Sequence, residues 1–187
     1  MEIQLFEGEK IRLAQHDAER DAEIESRWTH DPEYLRLISV DPARPLSPGQ
    51  VKKKYEELEK DAEKHHNAFN FAIRARADNR LIGYAHLKWI EWTHGAGTLE
   101  LAIGDPNDRQ QGFGCEALQM ILRYAFDELN LHRLSATTFE YNAGAVRFLE
   151  RVGFQIEVRR RQAVQRDGRR WDVLMLGLLR EEWARQA

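Results

Sequence analysis

The segment from Thr98 to about Leu129 constrains the fold most, because it joins a strand, a glycine turn and a long helix. Residues 98–103 alternate in polarity like a β-strand, and residues 112–129 repeat apolar side chains at helical spacing. Between them, the two glycines of Arg109-x-x-Gly112-x-Gly114 let the backbone approach a ligand closely. The first N–H groups of a helix lack internal partners, and the helix dipole adds partial positive charge there. The segment therefore predicts a site for a pyrophosphate.

Two other interpretations of the glycine turn remain open at this point. The first is a tight turn without a ligand, which would use the same glycines. The second is a dinucleotide-binding turn, which would need a third glycine and a parallel βαβ unit. Cys115, Glu116 and Ala117 follow Gly114, and the preceding strands have the pattern of an antiparallel meander. Both observations argue against NAD.

The rest of the chain carries strand and helix signals without a linker or an internal repeat. Ser47, Pro48 and Gln50 form a helix start with a capping box, and Gly153 fits the left-handed end of a short helix. The predicted strands are 8–14, 69–75, 81–92, 98–103, 134–139, 155–165 and 171–179, and the predicted helices are 17–28, 47–66, 112–129 and 143–152. We therefore predict one domain over residues 1–187, of mixed α/β class, with one sheet and helices on both faces.

Composition narrows the class of protein further. Cys115 is the single cysteine, which excludes an internal disulfide, and seven scattered histidines lack metal-ligand spacing, so we expect no metal. The net charge of -3 without a basic field argues against dedicated nucleic-acid binding. No apolar run approaches the roughly 20 residues of a membrane span, and the first four residues lack a signal-peptide pattern. We expect a cytoplasmic protein that does not bind membranes.

Four motifs in order resemble the GNAT superfamily of N-acetyltransferases. They are Arg109-x-x-Gly112-x-Gly114 after a strand, the segment 129–134, the run from Asn142 to Gly153-Phe154, and the segment 168–175 followed by Glu182-Trp183. Their order and spacing are similar to the RimJ/RimL-type branch, which includes ribosomal-protein alanine acetyltransferases and polyamine acetyltransferases. The resemblance covers about residues 8–183 and is strongest over 98–176.

This resemblance implies a mostly antiparallel sheet in which strands 98–104 and 134–140 splay apart around acetyl-CoA. It implies that the backbone of Ala102 and Ile103 pairs with the pantetheine arm and that Asn142 lies near the thiol end. The pyrophosphate would be held by the turn, which comprises Arg109, Gln110, Gln111, Gly112, Phe113 and Gly114.

The implied reaction is direct attack of a primary amine on the thioester within a ternary complex. The amine must lose a proton to a base, and the oxyanion needs a hydrogen-bond donor. Glu100 is our candidate base, because strand alternation places it on the same face as Ala102. A strand carboxylate without a catalytic role would have the same position, and Asp172 and Glu140 are further candidates.

The group that protonates the leaving thiolate is not evident from the sequence. Many members of the superfamily carry a tyrosine seven residues after the asparagine, where this chain has Leu149. Some RimL-like members carry a serine three residues after it, where this chain has Ala145. Tyr141 is the nearby hydroxyl, and water is the alternative.

Three aromatic residues are candidates for the amine pocket. Trp28 and Tyr34 lie near the N-terminal helices, and Trp89 lies on a strand, although packing in the core would explain them equally well. The acceptor stays open between a peptide N-terminus, a polyamine and a small metabolite, and the protein is a candidate homodimer.

Three other functions fit parts of the sequence. The missing hydroxyls at Ala145 and Leu149 favour a non-catalytic acyl-CoA-binding protein. A different acyl donor would use the same turn. The arginines between residues 159 and 170 could contact RNA or the adenosine 3′-phosphate.

Overall fold

Seven β-strands form one sheet in the computed structural model, which describes residues 4–185. The strands are β1 (Ile11–Ala14), β2 (Phe69–Ala75), β3 (Leu81–Glu91), β4 (Ala96–Ile103), β5 (Arg133–Phe139), β6 (Gln155–Arg166) and β7 (Arg169–Leu179). The helices are α1 (Arg20–Trp28), α2 (Pro32–Ile38), α3 (Pro48–His65), α4 (Phe113–Arg123), α5 (Ala143–Arg151) and α6 (Arg180–Ala184). Residues 1–3, on which the signal-peptide expectation partly rests, lie outside the described residues.

The strand order is β1-β2-β3-β4-β5-β7-β6, and every neighbouring pair is antiparallel except β4 with β5. The predicted meander of β2, β3 and β4 is confirmed. Strands β4 and β5 run parallel because α4 carries the chain back across the sheet between them. The last hairpin places β7 beside β5 and leaves β6 at the edge.

The two central strands diverge. Strand β4 pairs with β5 only from Ala96↔Arg133 to Leu99↔Ala136. Beyond that point β4 remains paired with β3 as far as Ile103, and β5 remains paired with β7 as far as Phe139. A wedge therefore opens between the C-terminal ends of β4 and β5, which confirms the expected splay.

Helices cover both faces of the sheet, as predicted. On one face the fully buried Leu118, Ile121 and Leu122 of α4 pack in the main hydrophobic core. On the other face Trp28 and Tyr34 pack with side chains of β2, β3 and β4. Among residues 4–185, no helix combines the length and the apolar character needed to cross a membrane.

Local sequence signals position these elements. The capping box of α3 is confirmed, with Gln50 N–H donating to Ser47 Oγ at 3.3 Å and Ser47 N–H donating to Gln50 Oε1 at 2.9 Å. Gly153, with φ of 99°, takes the predicted left-handed conformation after α5. Asp167 and Gly168 turn the last hairpin with φ of 50° and 73°.

Several elements differ from the predicted ones, including β1, which begins at Ile11 rather than Gly8, and α6, which was not predicted. Helix α1 begins at Arg20 rather than Asp17, because the Asp17 carboxylate accepts the N–H groups of Glu19 and Arg20. Helix α2 was not predicted, although Asp31 caps it and Pro32 occupies its first turn. The long helix after the glycine turn ends in a π-helical turn, Tyr124–Glu128.

Candidate active site

A cavity of about 430 Å³ opens in the wedge between β4 and β5. Strand residues 98–101 and 136–139 form its walls, and residues 37–40 of α2 and the following loop cover one side. Asn142 and three residues of α5, namely Ala145, Phe148 and Leu149, also line the cavity. A second, more open depression between α1 and the start of α3 shares no residue with this cavity.

The free backbone edge of β4 faces the wedge. The N–H of Gly104 donates to Ile82 O at 3.0 Å, and Ile103 pairs with Gly83. Alternation in an antiparallel pair then directs the backbone groups of Leu101 and Ile103 toward the wedge. Those of Ala102 point toward β3, so Leu101 takes the backbone position that the resemblance implied for Ala102.

The glycine turn presents the N-terminus of α4 as predicted. Gly112 has φ of 88°, a left-handed conformation that disfavours other residues. The N–H of Glu116 is the first to bond within the helix, to Gly112 O at 3.1 Å. The N–H groups of Phe113, Gly114 and Cys115 therefore remain available at the helix end for an anionic group.

Lys10 brings a cation to this turn, and sequence reasoning missed it. Its Nζ donates to Gln111 O at 3.1 Å, and a Cβ on Gly112 would lie 3.2 Å from the same nitrogen. The Lys10 N–H donates to Glu116 at 3.1 Å, which fixes the segment before β1 against α4. No local signal reveals this contact, because 101 residues separate the partners.

Arg109 faces away from the helix end. Its guanidinium donates to Gly104 O at 2.9 Å and to Ile103 O at 3.4 Å, and it lies 3.9 Å from the Asp31 carboxylate. The side chain therefore ties the turn to the end of β4 and to α2. The structure gives no support to the expectation that Arg109 binds the pyrophosphate.

Glu100 lies in the wall of the cavity and is part of an ion pair. Its Oε2 accepts from Lys88 Nζ at 2.6 Å and lies 3.9 Å from Nδ1 of His86, which is too long for a hydrogen bond. Burial raises the pKa of Glu100, but the hydrogen-bonded Lys88 ammonium opposes this effect and holds the pKa below its usual value. The carboxylate is therefore a stable anion and a weak base.

A buried polar cluster lies behind Glu100, between the sheet and helices α1 and α3. Neither ring nitrogen of His86 or of His16 has a hydrogen-bond partner among the described residues. Burial lowers the pKa of both histidines, that of His16 to about 3, so both rings are neutral at pH 7. Tyr55 Oη and Lys54 Nζ hydrogen-bond to the buried Glu25.

Asn142 lines the cavity beside the start of α5. Its Oδ1 accepts the N–H of Ala145 at 3.1 Å and caps α5, which leaves the Nδ2 hydrogens available to a ligand. Tyr141 is placed differently from the sequence expectation. Its hydroxyl donates to Arg36 O at 2.6 Å, and Tyr141 does not line the cavity, so it anchors α2 instead.

The three candidate aromatic residues separate into two groups. Trp28 and Tyr34 are 8% and 1% exposed and belong to the core, so the structure does not place them in the amine pocket. Trp89 lines the cavity with 66% of its surface exposed. It lies in an irregular stretch of β3 with φ of 51°, a strained conformation for a bulky residue.

The other carboxylate candidates are engaged elsewhere. Asp172 accepts from Arg159 at 2.8 Å, and Arg159 also lies 3.3 Å from Glu140. Neither carboxylate lines the cavity. Within residues 4–185, no cluster of His, Cys, Asp or Glu side chains is arranged to hold a metal ion.

The splayed strands and the glycine turn at a helix end form a site for an extended ligand that carries phosphates, and comparison with known proteins identifies the family. Residues 10–155 match the family described as an acetyltransferase (GNAT) domain. A Bacillus subtilis protein described as probable N-acetyltransferase YjcK is 35% identical over 170 residues, covering 87% of this chain and 88% of that protein. The chain therefore belongs to the GNAT family of N-acetyltransferases.

Solved structures share the fold. Spermidine N-acetyltransferase from Vibrio cholerae, in complex with CoA and spermine, has a TM-score of 0.72 and 21% identity, covering 93% of this chain and 96% of that one. Ribosomal-protein-S5-alanine acetyltransferase from Vibrio fischeri has a TM-score of 0.77 and 20% identity, covering 95% and 97%. At these identities the likeness establishes the fold alone.

Proposed function

We propose that the protein transfers the acetyl group of acetyl-CoA to a primary amine. The observation that carries this proposal is one continuous arrangement: a wedge with a free strand edge, followed by a helix N-terminus with unpartnered N–H groups. A thioester on an extended, amide-containing arm with a pyrophosphate fits such a site, because the arm can pair as a strand and the phosphates can meet the helix end.

In this proposal the backbone of Leu101 and Ile103 pairs with the pantetheine arm. The N–H groups of residues 113–115 and the Lys10 ammonium hold the pyrophosphate. The Nδ2 of Asn142 donates a hydrogen bond to the sulfur, which stabilises a leaving thiolate but cannot protonate it. Thr137 and Thr138 also line the cavity, and their hydroxyls or water are the candidate donors of the proton that the thiolate takes up.

Glu100 orients the amine on the other side of the thioester. A carboxylate whose pKa is lowered by a hydrogen-bonded ammonium stores a proton poorly, so it favours the removal of the proton through water over direct abstraction. A backbone N–H on the free edge of β4 is the donor for the oxyanion. The proposed reaction is direct attack within a ternary complex, in which both reactants would occupy the same wedge.

Calorimetry with acetyl-CoA, followed by measurement of free CoA release with a panel of amines, tests the proposal. We expect saturable one-site binding of acetyl-CoA, with NADH and ATP as negative controls, and amine-dependent CoA release. Binding without release would instead indicate the non-catalytic acyl-CoA-binding protein. Absence of binding would overturn both.

A single substitution tests whether the glycine turn binds acetyl-CoA. Gly112→Val forces a β-branched residue into a left-handed conformation at the helix end, which we expect to abolish acetyl-CoA binding. Gly144→Ala in α5, where the nearest heavy atom is 3.9 Å from the added Cβ, is the matched control. Normal binding by Gly112→Val would show that the turn is not the phosphate site.

The identity of the acceptor and the assignment to the RimJ/RimL-type branch stay predictions, as does the cytoplasmic location. Spermine and the alanine of a ribosomal protein, the amines in the names of the two structural neighbours, belong in the panel of amines.

A further inference from the structure

Only two of the residues that line the cavity in the described chain carry a formal charge. Glu100 lies on β4, and Arg160 lies on β6 at the opposite side of the wedge. The remaining lining residues are apolar, aromatic, hydroxyl or amide side chains. A ligand in this cavity therefore meets one carboxylate and one guanidinium.

The strand registers place both charges on the same face of the sheet. Thr98 pairs with Ser135, and alternation along β5 continues this face through Thr137 to Phe139. Phe139 pairs with Val173, and Val173 pairs with Arg160. Since Glu100 shares the face of Thr98, the carboxylate and the guanidinium flank the same side of the wedge.

Glu100 and Arg160 differ in whether an oppositely charged side chain pairs with them. Glu100 is already balanced by Lys88, at 2.6 Å. Arg160 has no carboxylate within 4.0 Å among residues 4–185, whereas its neighbour Arg159 pairs with Asp172 and Glu140. The wall formed by β6 therefore offers an unpaired cation to whatever enters the cavity.

We propose that the acceptor is a small primary amine that also carries an anionic group such as a carboxylate, with the amine at Glu100 and the anion at Arg160. This inference deepens the proposed function and rests on it. A guanidinium binds a carboxylate with paired, charge-assisted hydrogen bonds. The second ammonium of a polyamine would instead be repelled by Arg160, so the charge pattern argues against polyamines as the preferred acceptors.

A series of matched acceptors tests the charge preference directly. Each amino acid (β-alanine, 4-aminobutyrate or 6-aminohexanoate) is compared with the alkylamine and the diamine of similar length, with release of free CoA as the measurement. We expect kcat/KM for the amino acid of best length to exceed that of its alkylamine by about tenfold, with the diamine lower still.

Variants assign the preference to Arg160. Arg160→Gln should remove the advantage of the amino acid, and Arg160→Glu should reverse it in favour of the diamine. Arg161→Gln removes the same charge from a neighbouring position that does not line the cavity, and should preserve the preference. Acetyl-CoA binding by calorimetry shows that each variant is folded.

The outcomes separate this inference from the proposed function. If acetyl-CoA binds and no amine of any charge releases CoA, the proposed function fails and the inference fails with it. If diamines or alkylamines are acetylated at least as well as the amino acids, or if Arg160→Gln leaves the preference unchanged, the transferase function stands and the anionic acceptor is overturned.

Discussion

At the scale of single residues, the site depends on side chains whose partners determine their role. Glu100 lies in the wall of the cavity, but its ion pair with Lys88 makes it a fixed anion and a weak base, so the role we propose for it is to orient an amine. Lys10 is the opposite case. Its local sequence gives no sign of a role in the site, yet its ammonium lies against the glycine turn.

For Glu100→Gln we expect unchanged affinity for acetyl-CoA and a fall in turnover at pH 7 of roughly tenfold to a hundredfold. The amide keeps the shape of the side chain but removes the charge that orients the amine and its water. Calorimetry and the rate of CoA release measure the two effects. Glu140→Gln, a carboxylate outside the cavity, is the control, and equal rates for the two variants would remove Glu100 from the mechanism.

For Lys10→Met we expect the Kd of acetyl-CoA to rise about threefold to tenfold and its dependence on salt to weaken, because one cation near the phosphates is lost. Acetyl-pantetheine lacks the pyrophosphate, so its affinity should not change. Lys53→Met on the exposed surface of α3 controls for net charge. A Kd unaffected by Lys10→Met would mean that the ammonium serves only to hold Gln111 O.

At the scale of elements, contacts distant in sequence hold the cover of the cavity. The guanidinium of Arg166, at the end of β6, donates to the carbonyls of Ser39, Val40 and Asp41 at 3.1, 2.7 and 3.0 Å. Tyr141 anchors α2 from the other side through Arg36 O. The loop after α2, which lines the cavity with Ser39 and Val40, is therefore fixed to the last hairpin.

Arg166→Ala should loosen this loop and raise the KM for the amine severalfold, while the Kd of acetyl-CoA stays the same. Three carbonyls lose a charged donor, but none of them belongs to the backbone edge of β4 or to the glycine turn. Arg170→Ala, an exposed arginine of the same hairpin, is the comparison. Parallel changes in KM and in the Kd of acetyl-CoA would instead indicate a general loss of structure.

The difference between local contacts and contacts distant in sequence explains which features the sequence could predict. The capping box of α3, the turn at Asp167-Gly168 and the left-handed Gly153 after α5 are encoded within a few residues, and all three have the expected conformation. The hydrogen bonds from Arg109 to Gly104 O and from Tyr141 to Arg36 O depend on where separate elements pack. Local sequence patterns cannot predict those contacts. The structure therefore gives no support to pyrophosphate binding by Arg109 or to a catalytic role of Tyr141.

At the scale of the whole molecule, the buried histidines couple stability to pH. His16 stacks on Tyr55 with ring centroids 4.6 Å apart and lies 5.7 Å from the ring of His86. In the unfolded chain a histidine binds its proton below a pH of about 6.5, whereas folded His16 does so only near pH 3. Between these values the unfolded state holds more protons, so the free energy of unfolding must fall as the pH falls.

The size of this effect makes it measurable. Each histidine that stays neutral when folded costs up to about 1.4 kcal/mol per pH unit below pH 6.5. His16→Phe removes one such group and leaves no partner unsatisfied, because neither ring nitrogen of His16 has a hydrogen bond. Urea unfolding between pH 7 and pH 5 should therefore show a shallower loss of stability in the variant, which should be the more stable protein at pH 5. A slope identical to that of the wild type would mean that His16 is protonated in the folded state and that Asp21, whose carboxylate lies 3.8 Å from Nδ1, stabilises the charged ring.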